Sequence, residues 1–78
     1  MFDDLDRLVV GIKQSTKAVM GGSAEKAFLA HDADQEVTGA FAALCREKNV
    51  PMNHDYTMAE LGKLCKITVG ASVAVIVK

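Results

Sequence analysis

Seventy-eight residues, half of them hydrophobic and 24% charged, make a globular composition of one-domain size, with a core that can only be modest. No run approaches the roughly eighteen apolar residues a spanning helix needs, so a membrane partner is excluded from the expectations. A net charge of −1 argues against promiscuous nucleic-acid binding, although the distribution of charge matters more than its sum.

The chain starts Met1-Phe2-Asp3-Asp4-Leu5-Asp6, acidic where a secretory signal would be basic and then apolar, and a cytoplasmic protein is expected. Residues 3–7 suit a short helix and Leu8-Val9-Val10 a short strand, which halts abruptly at Gly11. Glycine fits where the backbone turns sharply or lets something approach closely. From Ile12 a helical pattern runs to about Met20, with Ile12, Thr16, Val19 and Met20 on the expected inward face. Lys13, Gln14 and Lys17 share a separate arc about 100° wide, near the helix start. There the first N–H groups lack intrahelical partners and the macrodipole is positive, a setting suited to a phosphate. Taken alone, the same residues are what any solvated helix face carries.

Gly21-Gly22 stops this helix. Ala27-Phe28-Leu29-Ala30 has the length and apolarity of a strand, and Asp34 suits the N-cap of the next helix, whose inward stripe is Val37, Ala40, Phe41, Leu44 and Cys45. Gly39 weakens that helix by up to about 1 kcal/mol without overturning its pattern. Another strand is expected over Val50-Pro51-Met52-Asn53-His54, and Thr57-Met58-Ala59-Glu60 is a capping box that opens a third helix. Ile67-Thr68-Val69-Gly70-Ala71 is an apolar turn leading into Val73-Ala74-Val75-Ile76-Val77, a strand apolar at every position and so covered on both faces. Strands alternating with helices give an α/β layered domain, and without a linker or internal repeat one domain is expected over residues 1–78.

Cys45 falls on the stripe of Val37, Phe41 and Leu44, and Cys65 on that of Met58 and Leu61, the placement of reduced core thiols. With His31 and His54 they show no paired metal-ligand spacing, so no metal and no cofactor is expected. The best catalytic constellation, His54-Asp55 with Cys45, fails because a core thiol is neither exposed nor easily ionised. An enzyme is not expected.

Gly-x-Lys-Gln-x-x-Lys at 11–17 resembles the RNA-reading signature of the kink-turn-binding ribosomal-protein family, whose archaeal member is called L-seven-Ae. Two further segments match in order. Leu29-Ala30-His31-Asp32-Ala33-Asp34 resembles the family's strand-to-helix turn, and the block from Glu60 to Ala71 resembles the one near the family's end. The similarity covers nearly the whole chain and is closest to the small bacterial branch, where Lys13 and Gln14 stand in place of the asparagine and glutamate of larger members.

The resemblance implies a three-layer α/β/α sandwich around a four-stranded mixed sheet. It implies a protein that binds and stabilises kink-turn RNA, ribosomal or related, with the ribosome among its candidate partners; a monomer is expected. A kink-turn bends a duplex sharply at a bulge followed by tandem G·A pairs. The bend opens base edges that regular A-form RNA hides. Gly11, Lys13, Gln14 and Lys17 would read that opening, lysine donating to guanine O6 and N7 and the glutamine amide both donating and accepting. The loop carrying Ile67, Val69, Gly70 and Ala71 would pack on the bulged nucleotide, and Asp34 matches a family position near the RNA as well as suiting a helix cap. Lys66 stands where the family pattern has glycine. The runner-up is a protein-interaction module on the same fold that has lost RNA binding, which the near-neutral charge and the neutral amide of Gln14 favour and the retained Lys13/Lys17 pair disfavours.

Overall fold

Four strands, β1 (Leu8–Val10), β2 (Ala24–Leu29), β3 (Met52–Asn53) and β4 (Val73–Val77), form one sheet in the order β1-β4-β2-β3. This is a computed structural model, and it describes residues 7–78; the helix expected over 3–7 falls almost wholly outside them. β4 runs antiparallel to both neighbours, with Val10 opposite Ala74 and Leu29 opposite Val73, while β2 and β3 are parallel. Thus β1, β2 and β3 all point the same way. Their C-terminal ends meet the N-terminal end of β4 along one edge.

Three helices fill the connections among the described residues: α1 (Ile12–Met20), α2 (Gln35–Glu47) and α3 (Met58–Leu64). The chain steps in one direction across the sheet from β1 to β2 to β3, and right-handed crossovers therefore place α1 and α2 on the same face. Val19 of α1 and Phe41, Ala42 and Cys45 of α2 pack with Ala27, Leu29, Val73 and Val75. On the opposite face Leu61 of α3, with Cys65 just after it, packs with Phe28, Ala30 and Ala74. The alternation along β4 splits cleanly: Val73 and Val75 to one cluster, Ala74 to the other, all three fully buried. The result is the expected α/β/α sandwich. Each fully buried side chain the size of Phe41 or Leu61 contributes about 1.5–3 kcal/mol.

Several boundaries differ from the sequence expectation. β2 begins at Ala24, three residues early, because Ala24 pairs with Val77 and is buried there. β3 shrinks to two residues: Val50 is buried but is spent closing α2, its N–H donating to the Cys45 carbonyl at 2.8 Å. In α2 the inward residue is Ala42, and Ala40 is exposed. The largest difference is in α1, where Ile12 is 39% and Met20 63% exposed while Ser15 is fully buried beside Val19. The helix therefore turns a small residue to the sheet, allowing close approach, and the Ser15 hydroxyl points to the Val9 carbonyl at a long 3.5 Å.

Candidate nucleic-acid interface

All three helices start from the sheet edge where β1, β2 and β3 end, and hydrogen bonds stitch that edge together. Gly11 N–H donates to the Val73 carbonyl (3.1 Å) and Ala30 N–H to the Ser72 carbonyl (2.8 Å), so the ends of β1 and β2 flank the start of β4. His31 N–H donates to the Tyr56 carbonyl at 3.0 Å, drawing in the segment before α3. The residues singled out at 11–17, at 34 and at 67–71 are thereby gathered around one edge, although they lie far apart in sequence.

Gly11 is the only link between β1 and α1, at φ 95°, ψ 152°. That conformation is open to glycine and strained for other residues. A Cβ there would meet nothing within 4 Å, so the requirement comes from the backbone, and the surface beside it stays bare. The turn aims α1 so that Lys13, Gln14 and Lys17 are exposed, and neither lysine is ion-paired among the described residues. α1 has no acidic residue in its first turn and no side-chain cap. The other two helices differ. Asp34 accepts from Glu36 N–H at 2.9 Å, with Glu36 also in the first turn of α2. Thr57 and Glu60 complete the expected capping box, and the Thr57 N–H and side-chain bonds hold the Glu60 carboxyl below its usual pKa. Of three helix starts on this edge, two carry their own carboxylates and α1 carries none. Attraction for an anion is concentrated at α1.

The loop after α3 turns back along that helix. Ile67 N–H donates to the Gly62 carbonyl (3.0 Å) and Ala71 N–H to the Met58 carbonyl (3.1 Å). A Cβ on Gly62 would overlap the Val69 carbonyl oxygen, and one on Gly70 would sit 3.2 Å from Met58 Cβ. Two glycines therefore let loop and helix backbones touch. The clamp pushes side chains outward: Val69 is 69% exposed and Ile67 36%. Ala71 does not join them. It is buried in the α3-side cluster and anchors the loop from beneath.

Three residues that shape this edge escaped the sequence reading. Gly62 and Met58 seat the loop, and Asp32 Oδ1 accepts from Met58 N–H at 2.7 Å, joining the turn before α2 to the start of α3. The signal for Asp32 was present as a second aspartate beside the N-cap Asp34; its partner, 26 residues away, was not visible. Of the rejected catalytic set, Cys45 is buried on α2, where burial pushes its thiol pKa up, and Asp55 is held in a turn by Asn53, whose side chain accepts from Asp55 N–H at 2.9 Å. Among the described residues no group of three metal-ligating side chains occurs.

The model of the ribosomal protein L7Ae/L30e/S12e/Gadd45 family matches residues 3–78. The chain is similar to the RNA-binding protein YbxF of Geobacillus stearothermophilus, 38% identical over 72 residues covering 92% of this chain and 88% of that protein. It is 36% identical to an RNA-binding protein of Bacillus pumilus over 69 residues, 88% of this chain and 84% of the other. Its fold is similar to a 15.5kD RNA binding protein of Giardia lamblia, with a TM-score of 0.87 and 32% identity over 95% of this chain; it spans only 62% of that longer chain.

Proposed function

The chain belongs to the ribosomal protein L7Ae/L30e/S12e/Gadd45 family, and from that membership we propose that it binds structured RNA and stabilises the kink-turn form. The observation that carries this is the α1 start: a glycine-only turn beside a glutamine and two lysines that have no ion-pair partner among the described residues, at the one helix N-terminus of the three described whose first turn carries no carboxylate. The proposed contacts are Gly11, which lets a backbone or base approach closely, and Lys13 and Gln14, which address base edges. Lys17, a turn further along, reaches a phosphate. Val69 and Ile67 offer the apolar surface on which an unstacked bulge nucleotide packs, with Gly70 and Ala71 setting the loop's height. Asp34 holds α2 in place at the rim.

The protein acts in this reading as a single-domain cytoplasmic monomer without catalytic activity, on ribosomal or related RNA. Because total charge is −1, affinity comes from a few local groups and the target is one RNA shape. A gel shift with a kink-turn RNA beside the same duplex lacking its bulge tests it. The kinked RNA should bind and the plain duplex should not. With about 3–5 phosphates neutralised, log K should fall against log salt with a slope of roughly −2 to −4. Donor and acceptor dyes on the two arms should approach as protein is added without magnesium, since a protein that contacts only the bent form raises its population. Equal binding of both RNAs overturns the kink-turn selectivity, and binding of neither leaves the protein-interaction reading, which the near-neutral charge and the neutral Gln14 side chain favour.

A further inference from the structure

We propose that Asp32, which is not among the RNA contacts assigned above, is the positioning residue that sets the apolar loop at the height RNA needs; this rests on the kink-turn reading. The path is short and continuous. Asp32 Oδ1 takes the Met58 N–H at 2.7 Å, fixing the first residue of α3 against the turn that leaves β2. The Met58 carbonyl then takes the Ala71 N–H at 3.1 Å, and Met58 Cβ is the surface on which Gly70 rests. The hydrogen bond at Ala71 and the contact under Gly70 therefore both pass through Met58, beside the separate seat that Gly62 gives Val69, and Asp32 locks Met58 from outside α3.

Two other features show that this lock is separate from ordinary capping. α3 already has a complete capping box, in which Thr57 serves the Glu60 N–H and Glu60 serves the Thr57 N–H. That box leaves the Met58 N–H, the first of the helix, without a partner, and Asp32 supplies it across 26 residues. The neighbouring carboxylate, Asp34, faces its own helix and caps α2. The turn thus places one aspartate on α2 and the other on α3, so one short segment ties the start of α2 to the start of α3. Lys13 and Gln14 sit on α1, on the opposite face of the sheet, and are not linked through Asp32.

The test compares Asp32→Ala, which removes the acceptor, with Asp32→Asn, whose amide oxygen can still take the Met58 N–H. Each variant is titrated with a kink-turn RNA and with the same RNA carrying an abasic bulge nucleotide, and amide hydrogen exchange is read at Ala71. If release lowers the seated fraction of the loop to about a tenth, the dissociation constant for the intact RNA rises about tenfold in Asp32→Ala. On the abasic RNA the variant and parent should agree within about twofold, and Asp32→Asn should restore most of the loss. Exchange at Ala71 should accelerate in Asp32→Ala and stay near the parent in Asp32→Asn. Unchanged exchange at Ala71 overturns the coupling whatever the RNA does, and an equal loss on both RNAs overturns the assignment to the loop. A parent that binds neither RNA refutes the kink-turn reading; accelerated exchange in that case would still establish that Asp32 seats the loop. A general folding defect is recognised by exchange that accelerates throughout the core strands as well as at Ala71.

Discussion

Replacing Lys66 by glycine should stabilise the protein. All three helices end in the same hydrogen-bonded arrangement, and each needs one residue at positive φ. After α1 the residue is Gly22 (φ 76°), with Gly22 N–H to the Val19 carbonyl and Ser23 N–H to the Ala18 carbonyl, both 3.1 Å. After α2 it is Asn49 (φ 58°), with bonds of 3.2 Å to Arg46 and, from Val50, 2.8 Å to Cys45. After α3 it is Lys66 (φ 58°), with 3.0 Å bonds to Lys63 and, from Ile67, to Gly62. Glycine occupies this region freely and asparagine tolerates it, but lysine is held about 1–2 kcal/mol above its preferred backbone. Glycine returns part of the gain, about 0.4–1 kcal/mol, by loosening the unfolded chain. The net is a gain of about 1 kcal/mol, or roughly 4–8 °C in Tm for a domain of this size. Lys66→Asn should gain less. Lys66→Ala should gain nothing, since it removes the charge and keeps the strain. Salt sharpens the comparison: the lysine's attraction to the helix C-terminus, about 0.3–1 kcal/mol at low ionic strength, is screened at about 1 M, so the advantage of glycine should widen. Thermal melts of the four proteins at both salts decide it. A glycine variant no more stable than the alanine variant would refute the strain account.

Lys13→Ala and Gln14→Ala should each cost about 1–3 kcal/mol against a kink-turn with tandem G·A pairs, a loss that shrinks when those pairs are replaced by G·C. Lys17→Ala should weaken all bound RNAs evenly and flatten the salt slope by about one unit in filter-binding titrations. Thr57→Ala should destabilise by about 0.5–2 kcal/mol near neutral pH. Because the Glu60 carboxyl is held below its ordinary pKa in the folded state, its contribution is present above the ordinary glutamate range and lost as pH falls through the lowered value. The gap between parent and Thr57→Ala in urea midpoints should therefore narrow on acidification. Both thiols are buried on opposite faces of the sheet with their pKa raised by burial, so iodoacetamide should label neither at neutral pH unless denaturant is present.

The parts of this fold legible in the sequence were those written in local chemistry. The capping box at Thr57–Glu60, the Asp34 cap and the uninterrupted apolar run at Val73–Val77 each carry their cause within a few residues, and all three appear as expected. The inward face of α1 misled because hydrophobicity outvoted size. Ile12 starts its helix at the rim, beyond the end of the sheet, whereas Ser15 lies over it, where a small residue lets the helix approach. The candidate site was legible at Gly11, whose φ of 95° answers to an abrupt change of pattern. It was illegible at Asp32, Met58 and Gly62, where the relevant partner is another segment's backbone. Ala71 was misplaced for a related reason: an apolar run does not say which of its members faces in.

Gly39 and Gly62 turn that last distinction into a measurement. Both lie inside helices without positive φ, and alanine is favoured over glycine in a helix interior by about 0.8–1 kcal/mol. Propensity alone therefore predicts the same stabilisation from Gly39→Ala and Gly62→Ala. Their surroundings predict opposite signs. A Cβ on Gly39 meets nothing within 4 Å, so Gly39→Ala should raise stability by about 0.5–1 kcal/mol and leave RNA binding unchanged. A Cβ on Gly62 runs into the Val69 carbonyl and lies 3.2 Å from Gly70 Cα, both backbone atoms that no side-chain rotation can clear. The loop must lift, stretching the Ile67–Gly62 and Ala71–Met58 bonds, and overpacking of this kind costs about 1–3 kcal/mol, enough to cancel or exceed the helix gain. Gly62→Ala should thus be neutral to destabilising in urea melts, and it should lose affinity for a kink-turn RNA with an intact bulge base more than for one with an abasic bulge. If Gly62→Ala is as stabilising as Gly39→Ala and binds both RNAs like the parent, the loop is not seated on α3 by that glycine, and the exposed Val69 has no fixed height from which to meet a base.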